Sequence, residues 1–85
     1  VFLDKENYSK GDLMKISGSG TRASSTITIS IFDIEGEKIE TLNVTAKSNG
    51  EYLTMYEIPL ELSSGIYKII IGDGKVEIEE SFIVN

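Results

Sequence analysis

The chain has 85 residues, of which 40% are hydrophobic and 26% are charged, a composition typical of one small globular domain. Asp and Glu number 14 against 8 Lys and Arg, and the net charge of -6 disfavours nucleic acid and anionic membranes as partners. Histidine, cysteine and tryptophan are absent, which excludes imidazole and thiolate catalysis and zinc or haem binding through such ligands. No apolar run approaches the ~18 residues of a transmembrane helix, so no direct membrane insertion is expected. The chain starts at Val1 without a signal-peptide leader, and we expect it to be excised from a longer, multi-domain chain.

Seven strands are predicted along the chain. The clearest spans 26–32, where isoleucines alternate with small hydroxyl-bearing residues in the period of two that is typical of a half-buried strand. Residues 66–72 carry apolar side chains at both parities, as a central strand can. No segment shows the spacing and caps of a helix. The predicted strands are residues 1–4, 13–18, 26–32, 37–46, 51–58, 66–72 and 75–84.

Turn signals separate these strands. Gly36 ends an Asp-Ile-Glu-Gly sequence that fits a type I turn with glycine in the left-handed conformation. Gly50 and Gly74 complete the Asn-Gly and Asp-Gly pairs that are preferred in two-residue hairpins. The polar segment 18–25 is predicted to be a loop at one end of the domain. Short strands divided by regular turns are typical of a sandwich.

The segment 58–65 is too long for a tight hairpin and contains Pro59, which cannot donate to a strand ladder. It is therefore predicted to cross between two sheets and to end at Gly65. Together these patterns predict an all-β, seven-stranded immunoglobulin-like (fibronectin type III-like) antiparallel β-sandwich, formed by residues 1–85 as a single domain. Its predicted core consists of Ile16, Ile27, Ile29, Ile31, Val44, Tyr52, Tyr56, Tyr67, Ile69, Ile71, Ile78 and Phe82.

Two strands depart from simple alternation. In the fourth strand Ile39 has the opposite parity from Leu42, which predicts a β-bulge near residues 40–41. In the fifth strand the tyrosine-bearing face is expected to point inward, leaving Leu53 and Met55 half-covered or in contact with a neighbour.

The turn and core signatures, taken in order, resemble a known type of module. They include Tyr8-x-x-Gly11-Asp12, the alternating isoleucines, Asn49-Gly50 and Ser64-Gly65-Ile66-Tyr67. The chain from Tyr8 to Val84 resembles the immunoglobulin-like, macroglobulin-like β-sandwich repeat modules of archaeal and bacterial cell-surface proteins. This resemblance implies a tandem repeat module, extracellular or in the cell envelope, whose partners are neighbouring domains of the same chain or other surface proteins.

Tyr67 lies at the predicted start of the sixth strand, directly after the crossover segment. A tyrosine there can bury its ring and bond its hydroxyl to the crossover backbone, the tyrosine-corner arrangement. We therefore expect Tyr67 to have a structural role.

Two sequence motifs suggest modification or ion binding. Asn7 and Asn43 each begin an Asn-x-Ser/Thr tripeptide and are candidates for N-glycosylation, although such tripeptides are common by chance. Oxygen ligands for calcium are offered by turn carboxylates, but such residues usually serve backbone bonding or solubility. We therefore predict no cofactor and keep calcium binding by Asp33, Glu35, Glu37 and Asp73 as an alternative hypothesis.

The acidic residues of the last strand, Glu77 and Glu79, share a solvent-exposed face. Paired carboxylates can hydrolyse glycosides, but one small sandwich leaves little volume for a cleft, and no suitable base accompanies the serines. These glutamates are better explained as residues that keep a strand soluble and discourage edge pairing. No catalytic residue is predicted, and the chain is not expected to be an enzyme.

The sequence therefore predicts a non-catalytic structural spacer or protein-interaction module. The alternative is an accessory module of a larger secreted hydrolase that binds a peptide or polysaccharide. Sugar binding is disfavoured because the aromatic residues lie mostly at core positions, whereas a peptide could pair with the backbone of the first or fourth strand. The oligomeric state stays open, since Leu53, Met55 and Ile70 could form an apolar patch if they point outward.

Overall fold

A computed structural model describes residues 2–19 and 22–85. Within these residues all seven predicted strands are present, and one further short strand (Asn7–Tyr8) precedes the second of them. Val1 of the first predicted strand and residues 20–21 of the predicted end loop lie outside the described residues. No helix in the described part of the chain has the length and apolarity needed to cross a membrane. The strands are β1 (Phe2–Leu3), β2 (Asn7–Tyr8), β3 (Leu13–Gly18), β4 (Thr26–Phe32), β5 (Lys38–Thr45), β6 (Tyr52–Glu57), β7 (Gly65–Gly72) and β8 (Glu77–Val84).

The strands form two sheets, which confirms the predicted immunoglobulin-like sandwich. The three-stranded sheet has the order β1-β3-β6, and the five-stranded sheet has the order β2-β8-β7-β4-β5. Neighbours are antiparallel except for β2 and β8, which run parallel. The crossover predicted at 58–65 is confirmed, because β6 and β7 belong to different sheets. The chain also changes sheet between β1 and β2, between β2 and β3, between β3 and β4 and between β5 and β6.

The core follows from alternation along each strand. In β4 the side chains of Ile27, Ile29 and Ile31 are fully buried, while the hydroxyl residues between them lie on the other face. Removing large aliphatic side chains from water is the main favourable contribution to such a fold. One cluster of buried residues joins the two sheets, namely Tyr8, Met14, Ile16, Ile27, Ile29, Ile31, Ala46, Tyr52, Tyr56, Ile58, Tyr67, Ile69, Ile71, Phe82 and Val84.

Two residues of the predicted core are less buried than expected. Ile78 is 43% exposed, although it shares the parity of the buried Phe82. It lies near the start of β8, on the edge of the five-stranded sheet, where β2 does not extend to pair with it. Val44 is only partly buried, because β5 forms the other edge of the five-stranded sheet.

The β-bulge in the fourth predicted strand is present but lies earlier than expected. Ile31 pairs with Glu40 and Phe32 pairs with Lys38, so Ile39, rather than residues 40–41, is the extra residue. Because a bulge adds one residue to the strand, odd-numbered residues before it point to the same face as even-numbered residues after it. Ile39 therefore packs against the core together with Leu42.

Candidate recognition surface

An apolar groove lies on the outer face of the five-stranded sheet, beside the turn that joins β4 to β5. Alternation along β7 buries Tyr67 and Ile69 and directs Ile66 and Ile70 to the outer face. Phe32 of β4 pairs with Lys68 of β7 and brings its ring to the same face. The groove has a volume of about 390 Å³, and its walls are Phe32, Asp33, Ile34, Gly36, Ile66, Tyr67, Lys68, Ile70, Glu79 and Ser81.

The groove exposes large aliphatic side chains to solvent. Ile34, in the β4–β5 turn, is 76% exposed, and Ile66 is 53% exposed. An exposed apolar patch with a polar rim is typical of a protein-interaction site. The apolar residues at both parities of β7 are the sequence signal for this surface, although that pattern is equally typical of a strand covered on both faces.

Charged side chains surround the apolar part of the groove. The Nζ atom of Lys68 lies 3.8 Å from a carboxylate oxygen of Glu79, across the β7–β8 pair. The Nζ atom of Lys38 lies 5.8 Å from the centre of the Phe32 ring, within the range of a cation–π contact. These groups are solvated, so their contribution to stability is small and they remain available to a partner.

The hypothesised apolar patch of Leu53, Met55 and Ile70 does not form. Leu53 and Met55 are 52% and 46% exposed on the outer face of the three-stranded sheet, which confirms that they are only half-covered. Ile70 lies on the outer face of the other sheet, because β7 belongs to the five-stranded sheet. The patch is therefore divided between opposite faces of the sandwich.

Tyr67 closes one end of the core beside the groove. Its hydroxyl donates a 2.7 Å hydrogen bond to the backbone oxygen of Ser63, four residues earlier. Its ring stacks on Phe82 with the ring centres 5.6 Å apart. This is the geometry of a tyrosine corner, and it links the crossover segment to β7 and β8.

The hypothesised calcium ligands lie at two ends of the molecule. Asp33 follows β4 and Asp73 follows β7, and these two strands are antiparallel neighbours. Asp33 accepts hydrogen bonds from the backbone N–H groups of Glu35 and Glu37, at 3.0 and 2.9 Å. In the described part of the chain no three residues of the His, Cys, Asp or Glu types are grouped so that they could hold a metal ion. Asp73 therefore lies at the opposite end of this strand pair from Asp33, Glu35 and Glu37.

Asp73 instead organises the β7–β8 turn. Its carboxylate accepts hydrogen bonds from the N–H groups of Lys75 and Val76, at 2.9 and 3.0 Å. These bonds lower the pKa of the Asp73 carboxyl, and the nearby Arg22 guanidinium lowers it further. Arg22 also donates a 3.1 Å hydrogen bond to the Asp73 backbone oxygen, which fastens the end loop to this turn.

The remaining sequence candidates lie at the surface or in turns. Asn7 of β2 and Asn43 of β5 are both exposed, and Asn43 accepts a 3.2 Å hydrogen bond from the Thr28 hydroxyl. Positive φ angles occur at the four turn and crossover glycines singled out in the sequence, where a side chain would be strained. They are Gly36 (87°), Gly50 (81°), Gly65 (156°) and Gly74 (98°).

Comparison with protein families shows which family the chain belongs to. Residues 8–85 match the family described as the secretion system C-terminal sorting domain. The chain belongs to this family. No curated protein matches the chain. The sorting domain is a tail of bacterial secreted proteins, so the predicted extracellular or cell-envelope location is confirmed.

Family membership refines the resemblance seen in the sequence. The family agrees with that resemblance in its bacterial cell-surface location and in its β-sandwich fold. The family is described by a sorting role and by no enzymatic activity, whereas the resemblance implied a tandem repeat. Turn and core residues carried that resemblance, and such residues encode the fold of a module rather than its task.

A polar cluster that was not predicted from the sequence forms around Tyr8. The Tyr8 hydroxyl donates a 2.7 Å hydrogen bond to the Asp4 carboxylate and accepts a 3.0 Å bond from the Lys5 N–H group. Asp4 also accepts a 3.1 Å bond from the N–H group of Lys15 on β3. Burial, together with the Asp4 hydrogen bond, raises the pKa of Tyr8 to about 12. The Tyr8 hydrogen bond is the main cause of the lowered pKa of Asp4.

Proposed function

We propose that this domain is a non-catalytic recognition module that directs the polypeptide joined to it through a bacterial secretion system. The observation that carries the proposal is the family match, which extends over residues 8–85. In this role the domain is a single unit of a longer chain. Its partners are the rest of that chain and a protein of the secretion apparatus.

We further propose that the apolar groove is the surface on which that apparatus protein docks. Ile34 and Ile66 are exposed beside the partly buried rings and chains of Phe32 and Ile70, with Lys68 and Glu79 at the rim. A protein interface typically has this arrangement of an apolar centre within a polar border. Most of the groove is built on paired strands, so it needs little ordering when a partner binds.

The spacer role and the accessory ligand-binding role are less well supported. The family is described by sorting, and neither of those roles belongs to that description. A sugar site is further disfavoured because Tyr8, Tyr52, Tyr56, Tyr67 and Phe82 are buried in the core. Exposed aromatic rings are what a carbohydrate platform would need.

A transfer experiment tests the sorting role. Residues 1–85 are fused to the C-terminal end of a stable reporter enzyme in a bacterium that carries the secretion system served by this family. We expect the fused reporter at the cell surface or in the medium, and the reporter alone inside the cell. Equal retention of both proteins, with the fused domain intact and folded, would refute the sorting role.

Matched variants test the groove. Ile34→Ser with Ile66→Ser removes two exposed aliphatic side chains from the groove, whereas Leu53→Ser with Met55→Ser removes two from the opposite sheet. Both pairs are expected to fold, because all four side chains are at least 46% exposed. We expect at least a roughly tenfold loss of export for the first pair only, equivalent to about one lost contact at the centre of an interface. Equal export of the two pairs would exclude the groove and leave the sorting role untouched.

A further inference from the structure

The outer edge of β8 is open over most of its length. The short strand β2 pairs with β8 only at Ile83 and Val84. The preceding strand, β1, belongs to the other sheet, so β2 does not extend further along β8. Among residues 2–19 and 22–85, none pairs with the edge of β8 from Glu77 to Phe82. The sandwich therefore has an incomplete strand ladder on this side.

The backbone groups at this edge are identified by the bonds that β2 makes. The N–H group of Ile83 donates to the backbone oxygen of Glu6 at 2.9 Å, and that of Asn85 donates to Tyr8 at 2.8 Å. Backbone groups of alternate residues point to opposite sides of a strand. Glu77, Glu79 and Ser81 therefore direct their N–H and C=O groups to the open edge, as a template for another strand.

The other long edge of this sheet is better protected. Strand β5 contains the bulge at Ile39 and packs beside β6 of the facing sheet. Bulges twist an edge away from additional pairing. The peptide site expected at the first or fourth predicted strand is therefore less favoured than β8, because β1 has two residues and β5 is bulged.

The side chains at the open edge show which strand would fit. Glu77 and Glu79 extend from the outer face, and Glu80 is exposed on the inner side. On that inner side Ile78 is 43% exposed, and Val76, in the turn before the strand, is 63% exposed. The edge thus offers carboxylates on one face and an uncovered aliphatic side chain on the other.

We propose that the open edge of β8, residues 77–82, binds an extended basic segment of a partner protein in which Lys or Arg alternates with apolar residues. The added strand continues the line of β2, its cations facing Glu77 and Glu79 and its apolar side chains covering Ile78. Cross-strand pairs of opposite charge stabilise such an addition. The β8 edge of a second copy fits poorly, because it would place glutamates opposite glutamates.

This proposal does not depend on the sorting role, and it is distinguished from binding in the groove by Glu77, which does not line the groove. It is tested with the whole chain and an eight-residue blocked peptide that alternates lysine and valine. We expect the amide signals of Glu77, Glu79 and Ser81 to shift most in a two-dimensional nitrogen–proton NMR titration. A peptide alternating glutamate and valine is expected to bind at least about tenfold more weakly at low salt.

Two N-methylated peptides give a sharper control. One peptide carries methyl groups on the backbone nitrogens of its lysines, and the other carries them on the backbone nitrogens of its valines. Only one set of peptide N–H groups faces β8 in a strand addition, so one of these peptides should lose binding and the other should keep it. Equal binding of both N-methylated peptides, or shifts centred elsewhere on the domain, would overturn the proposal.

Two variants separate edge pairing from general attraction. Ser81→Pro removes one N–H group that faces the open edge and leaves the bonds to β7, and we expect a roughly tenfold loss of affinity. Thr45→Pro on the edge of β5 is the matched control and should bind as the wild type does. Glu77→Lys with Glu79→Lys should reverse the preference between the lysine and glutamate peptides. An unchanged preference in that folded variant would contradict the proposal.

Discussion

The Tyr8 hydroxyl donates a 2.7 Å hydrogen bond to the carboxylate of Asp4, four residues earlier. Asp4 is also bonded to the backbone of Lys15 in the three-stranded sheet, while Tyr8 belongs to the five-stranded sheet. The pair therefore spans the point where the chain crosses between the sheets. That crossing also ends the pairing of β2 with β8 and leaves the edge of β8 open.

Replacing Tyr8 tests the strength of this link. Tyr8→Phe keeps the ring in the core but removes the bond to a charged carboxylate and the bond from the Lys5 N–H group. We expect a loss of about 2 kcal/mol in the free energy of unfolding, since bonds to charged groups contribute more than neutral ones. Urea denaturation at pH 7 measures it. A loss below that of Tyr67→Phe would show that the Asp4 bond contributes little.

The Tyr8–Asp4 hydrogen bond should also make the free energy of unfolding depend on pH. The folded-state pKa of Tyr8 is raised to about 12 from an ordinary 10.0, so its stabilising contribution is present below pH 10.0 and is lost as the pH approaches 12. The difference between wild type and Tyr8→Phe should therefore shrink over that range. Tyr52 and Tyr56, whose pKa values burial also raises, are present in both proteins and cancel. A difference that stays constant from pH 8 to 12 would contradict this assignment.

The tyrosine corner has its own prediction. Tyr67→Phe removes one hydrogen bond, to the backbone oxygen of Ser63, and leaves the stacking on Phe82 in place. We expect a loss of about 1 kcal/mol, the net contribution of a neutral hydrogen bond. Thermal unfolding followed by circular dichroism measures it, and an unchanged melting temperature would show that the bond has no structural role.

Gly18 is required by close packing. It pairs with Tyr52 across β3 and β6, and a Cβ atom at position 18 would overlap the Tyr52 ring. We expect Gly18→Ala to destabilise the domain by about 1–3 kcal/mol, the usual cost of overpacking a core. In a Tyr52→Leu background, which lacks the overlapping ring atoms, the same change should cost much less. An equal cost in both backgrounds would place the cause elsewhere.

Most of the fold was predictable because its signals are local. The strict alternation of β4 and the glycine turns at residues 36, 50 and 74 each act within a few residues, and they sufficed to predict the strands and the sandwich. The parity break at Ile39 predicted a bulge, although its exact partner residues depend on pairing with β4. Local patterns cannot specify such a register.

The surface features were less predictable, because they depend on which strand lies beside which. Strand β2 has two residues, and its partner β8 lies at the far end of the sequence. The isoleucines of β7 appear the same in the sequence whether their outer face is covered or open. The exposure of Ile78 depends on how far β2 extends along β8, and the Tyr8–Asp4 pair was not predicted from the sequence.

Photo-crosslinking in the native secreting cell is the most direct test of the account in which the domain docks on the secretion apparatus through the groove. A photoreactive amino acid replaces Ile34 in the groove or, as the matched control, Leu53 on the opposite sheet, in a reporter fused to the domain. The account predicts that position 34 crosslinks to a protein of the secretion apparatus, identified by mass spectrometry, and that position 53 does not. Crosslinking to that apparatus from position 53 alone, with export intact, would contradict it.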